Sequence, residues 1–208
     1  MLIKVCGITR EQEIKALNIL KPDYIGFVFA ESKRKVTKEE VRHLCEALNK
    51  EIKVVGVFRN NSIEYIEEVL EYLPLNVIQL HGDEDNNFIE RLVEKHSCEV
   101  WKAVTIKSKM DMCLAINYHV DTLILDGSNP GSGEVFPWEF ISGIKSDKRI
   151  FLAGGINEGN VLEGIGLVNP DGIDVSSGVE VIDDEGNRVK DKSKIERLIR
   201  KVRKKNEG

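Results

Sequence analysis

Leu2-Ile3-Lys4-Val5-Cys6-Gly7-Ile8-Thr9 begins with a short, mostly apolar run that ends in a cysteine and breaks at a glycine. A run this short, apolar nearly throughout and bounded by glycine, reads as a strand covered on both faces. The same unit recurs as YIGFVF from Tyr24, KVVGVF from Lys53, NVIQLH from Asn76, EVWKAV from Glu99, DTLILD from Asp121, RIFLAG from Arg149 and GIDVS from Gly172. Successive starts lie 22 to 29 residues apart, room for a strand, a helix and two short loops.

The segments between the runs carry helical periodicity. Arg10 to Leu20 carries Ile14, Leu17, Ile19 and Leu20, and Thr37 to Lys50 opens with Thr37 and Glu40 in capping-box spacing. Ser62 opens a third segment, Phe88, Leu92 and Val93 mark a fourth, and Ser108 to Asn117 is the fifth. Pro137 suits the first turn of a sixth, Asn157 or Asn160 the cap of a seventh, and Ser193 to Lys204 forms the eighth. Eight strands alternating with helices imply parallel pairing through right-handed crossovers, and eight such units close into a barrel. The expected fold is therefore α/β, a (β/α)8 TIM barrel spanning residues 1–208 as a single domain. An open doubly wound sheet fits less well, because Cys6-Gly7-Ile8-Thr9 stands where a Gly-x-Gly-x-x-Gly turn would follow the first strand.

With 208 residues, 41% of them hydrophobic, the chain can bury one substantial core, and a net charge of -5 argues against a nucleic-acid partner. The basic last segment reads as the solvated face of an amphipathic helix, with Ile195, Leu198, Ile199 and Val202 on the other side. The start shows no signal-peptide pattern and no stretch is long and apolar enough for a membrane, so the expectation is a soluble cytoplasmic protein. Its four cysteines are scattered, which suits reduced thiols and not a zinc site.

In such a barrel, chemistry lies where the strands end. Gly154 and Gly155 follow the seventh strand, and Ser176, Ser177 and Gly178 follow the eighth. Glycine lets backbone N–H groups approach a phosphate closely, so these two loops are the candidate phosphate site. The glycine-rich loop 127–133 is a second candidate, or a lid. Cys6 and Asp126 end the first and sixth strands and are the candidates for proton transfer across a small substrate. A thiolate is a competent base when cations stabilise it, and a carboxyl against apolar walls such as Leu123-Ile124-Leu125 can serve as an acid. Arg34, in a basic second loop, could fork onto a carboxylate. Gln79 and His81 at the end of the fourth strand are read as further substrate contacts, and Arg59, Asn60 and Lys102 also fall at strand ends. His81 is the one histidine of four at a strand end, so no metal site is expected.

Together these stretches resemble the phosphoribosylanthranilate isomerase family of tryptophan biosynthesis. The resemblance rests on KVCGIT at 4–9, GFVF at 26–29, SKRKV at 32–36, VGVF at 55–58, QLHG at 79–82, LD at 125–126, GSG with Phe136 and Trp138, LAGGI at 152–156 and DVSSGVE at 174–180. It implies an Amadori rearrangement of an N-phosphoribosyl anthranilate into the 1-deoxyribulose. Asp126 would then protonate the ring oxygen, Cys6 would take the proton from C2, Arg34 would hold the anthranilate carboxylate, and loops seven and eight the phosphate. No cofactor is implied; the partner is the small phosphoribosyl substrate, and the protein would act as a monomer or homodimer. The chain departs from the family at Lys33, where a proline is frequent, and in an acidic stretch at 181–188 before Lys190-Asp191. The alternatives are a histidine-pathway-like phosphoribosyl isomerase, which would carry aspartate at Cys6, and a barrel that binds a phosphosugar without turning it over.

Overall fold

In the computed structural model, which describes residues 1–127, 137–143 and 146–205, eight parallel strands close into a barrel in sequence order. They are β1 (Leu2–Cys6), β2 (Tyr24–Val28), β3 (Lys53–Phe58), β4 (Val77–Leu80), β5 (Glu99–Thr105), β6 (Thr122–Asp126), β7 (Arg149–Leu152) and β8 (Gly172–Val175). Closure is direct: β1 pairs with β8 with Lys4 beside Asp174, and with β2 with Cys6 beside Gly26.

The period of two sorts each strand into two layers. Ile3, Val5, Ile25, Phe27, Val54 and Ile78 point outward into a core shared with the helices, among them Ile14 and Leu17 of α1 (Glu11–Leu20) and Val41 and Leu44 of α2 (Lys38–Glu46). Cys6, Tyr24, Val55, Val57, Val77, Trp101, Ala103, Ile124, Phe151 and Ala153 point inward and fill the barrel. At its heart, Tyr24, Trp101 and Phe151 pack ring against ring, with centroids 4.9 Å (Tyr24–Trp101), 4.9 Å (Trp101–Phe151) and 5.9 Å (Tyr24–Phe151) apart. Below them Glu99 accepts from Trp101 Nε1 at 2.9 Å and from Arg149 Nη1 at 3.2 Å, which closes the floor.

The helices begin where side chains can cap them. Thr37 accepts from Glu40 N while the Glu40 carboxylate accepts from Thr37 N, the expected capping box. Ser62, Asp85 and Ser108 cap α3 (Ile63–Tyr72), α4 (Asn86–Lys95) and α5 (Lys109–Ala115), and α6 (Val161–Val168) follows Asn160. The last helix, α7 (Lys192–Lys205), buries Ile195, Leu198, Ile199 and Val202, each contributing roughly 1.5–3 kcal/mol.

One expectation is corrected, and one stretch left unassigned gains a structure. The sixth helix is, over the described residues, one 3-10 turn at Trp138–Phe140, because Gly143 at φ +73 lies too soon after Pro137 for a longer helix. The acidic stretch is part of an antiparallel hairpin, β9 (Glu180–Ile182) and β10 (Arg188–Lys190), in which Glu180 and Lys190 are register partners. The glycine-rich loop offered as a phosphate site or lid lies outside the described residues apart from Gly127, as do Phe136 and the GSG at 131–133.

Candidate active site

The C-terminal ends of the strands surround a cavity of about 890 Å³, counting the part open to solvent. Nine of the ten residues singled out from the sequence line it: Cys6, Arg34, Gln79, His81, Asp126, Gly154, Gly155, Ser176 and Ser177. The tenth, Gly178, does not. It packs against loop seven so closely that a Cβ there would stand 1.9 Å from the Ile156 carbonyl oxygen. Arg59 also lines the cavity, whereas Lys102 points outward from β5 and bonds Glu84 at 2.7 Å and the Gly82 carbonyl at 2.6 Å.

Cys6 is buried at the end of β1, and its Sγ fits because β2 carries glycine opposite: a Cβ on Gly26 would lie 2.8 Å from the sulfur. One layer below, the fully buried Lys4 ammonium donates to Asp174 Oδ2 at 2.7 Å. Burial works against the ammonium, yet Asp174 and Cys6 more than offset it, so Lys4 is held above its ordinary value. For the thiol the balance falls the other way. Burial pushes Cys6 up, Lys4 and Lys190 draw it down only in part, and Asp174 adds to the rise. The cations that would stabilise a thiolate are present, but desolvation outweighs them.

Asp126 sits among more polar partners than its apolar strand suggests. Its Oδ1 accepts from Gly127 N at 2.7 Å, and its Oδ2 lies 3.5 Å from His81 Nε2, outside hydrogen-bond geometry, so that buried ring nitrogen lacks a partner. Gly154, at φ +76, lets loop seven close over this carboxyl, since a Cβ would meet Gly127 N at 2.6 Å and Asp126 Oδ1 at 2.9 Å. Gln79 Oε1 and Asp174 Oδ1 are likewise buried without partners on the cavity wall.

Across the cavity, Asn157 and Asn160 both donate to the Gly155 carbonyl at 2.9 Å, fastening it to its own loop. The N–H groups of Gly154, Gly155, Ser177 and Gly178 find no acceptor among the described residues. Three of these donors, on Gly154, Gly155 and Ser177, belong to residues that line the cavity from two adjoining loops, which makes a ready anion site. Ser176 Oγ donates to the Cys6 carbonyl at 2.9 Å, tying loop eight to β1.

Arg34 reaches the rim, but part of its fork is already engaged. Nε donates to Glu180 Oε1 at 2.6 Å and Nη2 to Oε2 at 2.8 Å, while Lys190 Nζ lies 2.6 Å from the same Oε1. Burial alone would raise the Glu180 carboxyl, but Arg34 and Lys190 together bring it down to about 2. Lys4, Asp174, Glu180 and Lys190 escaped the sequence reading. Lys4 and Asp174 did leave a signal, as opposite charges at inward positions of two otherwise apolar strands that close the barrel. Among the described residues no three His, Cys, Asp or Glu side chains converge as metal ligands, and no helix is long and apolar enough to cross a membrane.

The family model described as N-(5'-phosphoribosyl)anthranilate (PRA) isomerase matches residues 3–201. An N-(5'-phosphoribosyl)anthranilate isomerase from Clostridium beijerinckii is 47% identical over 97% of this chain and 96% of its own. The crystal structure of phosphoribosyl anthranilate isomerase from Thermotoga maritima superposes with a TM-score of 0.88 at 34% identity, covering 98% of this chain and 100% of that one. A phosphoribosyl anthranilate isomerase in complex with reduced 1-(o-carboxyphenylamino)-1-deoxyribulose 5-phosphate superposes at 0.86, with the same identity and coverage. Its barrel, its cavity and these likenesses agree: the chain belongs to the N-(5'-phosphoribosyl)anthranilate isomerase family.

Proposed function

We propose that this enzyme isomerises N-(5'-phosphoribosyl)anthranilate to 1-(o-carboxyphenylamino)-1-deoxyribulose 5-phosphate in tryptophan biosynthesis, with Asp126 as general acid and Cys6 as general base. The observation that carries the reading is one cavity lined by both groups, by Arg34 at its rim and by two loops with free N–H donors. The phosphate docks on loops seven and eight, and the anthranilate carboxylate on the unengaged edge of Arg34. Asp126 protonates the ring oxygen, and the C1–O bond breaks to give a Schiff base whose nitrogen carries positive charge. That charge acidifies the C2 proton, and it stabilises the Cys6 thiolate that burial disfavours. Cys6 takes the C2 proton, the C2–H electrons form the C1–C2 double bond of the enolamine as the C1–N π pair returns to nitrogen, and protonation at C1 with loss of the C2 hydroxyl proton gives the ketone. A reducing cytoplasm suits the four unpaired cysteines.

The test follows the fall in fluorescence as the anthranilate substrate is consumed, alongside an assay with the histidine-pathway counterpart. Cys6→Ala and Asp126→Ala are each expected to lower kcat by about 10²- to 10⁴-fold with thermal stability retained. Near-normal turnover in Cys6→Ala refutes the assignment, and turnover of the histidine-pathway substrate alone refutes the function.

A further inference from the structure

Arg34 lines the cavity, but Glu180 and Lys190 behind it do not. Exposure falls from the rim inward, with the side chains of Arg34, Glu180 and Lys190 at 15%, 4% and 1%. Glu180 takes the Nε and one Nη2 hydrogen of the guanidinium, leaving Nη1 and the second Nη2 hydrogen, the edge that another carboxylate would grip. An Arg–Glu pair alone is neutral and attracts an anion weakly. Lys190, 2.6 Å from Glu180 Oε1, already shares that negative charge, so the trio keeps one net positive charge facing the cavity.

The geometry is fixed from several directions. Glu180 and Lys190 are cross-strand partners in the β9–β10 hairpin, so the hairpin register sets their separation. Glu13 Oε1 accepts from Lys190 N at 2.7 Å, Lys194 Nζ donates to the Glu180 carbonyl at 2.7 Å, and Lys190 Nζ also reaches Ser176 O and Oγ at 3.1 Å. The Arg34 stem crosses Gly7, where a Cβ would stand 2.5 Å from its Cδ. A guanidinium held this way loses little further freedom when it binds a ligand.

From this arrangement we propose that Glu180 and Lys190 are positioning residues that aim and charge the free edge of Arg34, making the hairpin the selector for an arylamine bearing an ortho carboxylate over one without. The inference rests on Arg34 holding the substrate carboxylate. Its test compares the dissociation constants of two ligands: the reduced carboxyphenylamino-deoxyribulose phosphate, and the same molecule lacking the ring carboxylate. Glu180→Gln is expected to weaken the carboxylated ligand about 10- to 100-fold and the other less than threefold. In turnover KM rises while kcat changes little. Lys190→Met is expected to show the same selectivity and Lys190→Arg to restore it, which keeps the test open if Glu180→Gln folds poorly. Equal weakening of both ligands in Glu180→Gln and Lys190→Met, or tighter binding of the carboxylated one, overturns the proposal. Arg34→Met separates the levels: equal losses for both ligands there overturn the reading of Arg34 itself. Selectivity in Arg34→Met without selectivity in the Glu180 and Lys190 variants overturns this inference alone.

Discussion

Replacing Lys4 by Met removes the cation beneath Cys6 while nearly keeping the side-chain volume. At 2.7 Å, and with an effective dielectric of about 20, the Lys4–Asp174 attraction is roughly 6 kcal/mol, much of it offset by the desolvation of both groups. The net worth of the pair is therefore small, but the cost of breaking it is not, because Asp174, 9% exposed, stays buried without its cation. Loss of one member of such a pair costs about 3–5 kcal/mol, or about 6–20 °C in Tm for a chain of this size. The double variant Lys4→Met/Asp174→Asn removes both charges and is expected to recover at least half of that loss. Denaturant melts of the four proteins give the coupling energy. Kinetics supply a second readout. Lys4 is the strongest influence lowering the thiol, so its removal moves Cys6 further up and shifts the rising limb of kcat/KM to higher pH in both variants. Single-site losses under about 1 kcal/mol, or losses that simply add in the double variant, refute the account of the pair.

Three further outcomes are expected. Gly26→Ala drives a methyl to within 2.8 Å of Cys6 Sγ, so it should cost about 1–3 kcal/mol in thermal melts and at least tenfold in kcat; unchanged kcat would show that the thiol is not held against β2. Glu180, lowered from 4.5 to about 2, contributes stability that is full above pH 4.5 and is lost as pH falls toward 2. A shift of about 2.5 units corresponds to roughly 3 kcal/mol, so acid titration of Glu180→Gln should show a shallower decline over that window. Thr37→Ala, which deletes the α2 capping box at a residue that does not line the cavity, should lower stability by about 1 kcal/mol in the same melts and leave kcat/KM unchanged.

The strands were legible because each is buried on both faces and so must be apolar for most of its length. Six of the eight begin at the residue where the run begins, and β4 and β6 begin one residue later, at Val77 and Thr122. The helices were legible where a side chain announces the start, as Thr37, Ser62 and Ser108 do. Trp138–Phe140 misled because a proline marks a permissible start and carries no information about length. The hairpin was hidden by its composition. Val181-Ile182 and Arg188-Val189 flank a turn with Gly186 at φ +84, a strand–turn–strand signal, but the acidic residues between them read as an unassigned insertion. Position on a barrel face is legible from strand ends, which is how nine cavity residues could be named. Partnership is not: that Glu180 meets Arg34 across 146 residues depends on a hairpin packing behind Arg34, and short-range patterns do not encode such a contact.

The cluster of Tyr24, Trp101 and Phe151 has an isotopic consequence. Tyr24, Trp101 and Phe151, each at most 3% exposed, plug the barrel beneath the cysteine, and among the described residues the sulfur faces the mouth. A bound substrate occupies that mouth. With Cys6 as the base proposed above, hydrogen lifted from C2 would then stay on the sulfur, sheltered, until it is passed on or the mouth clears. Deuterium placed at C2 should therefore reappear in part at C1 of the product in ordinary water, and the retained fraction becomes a clock for how long the covered site outlasts the proton transfer.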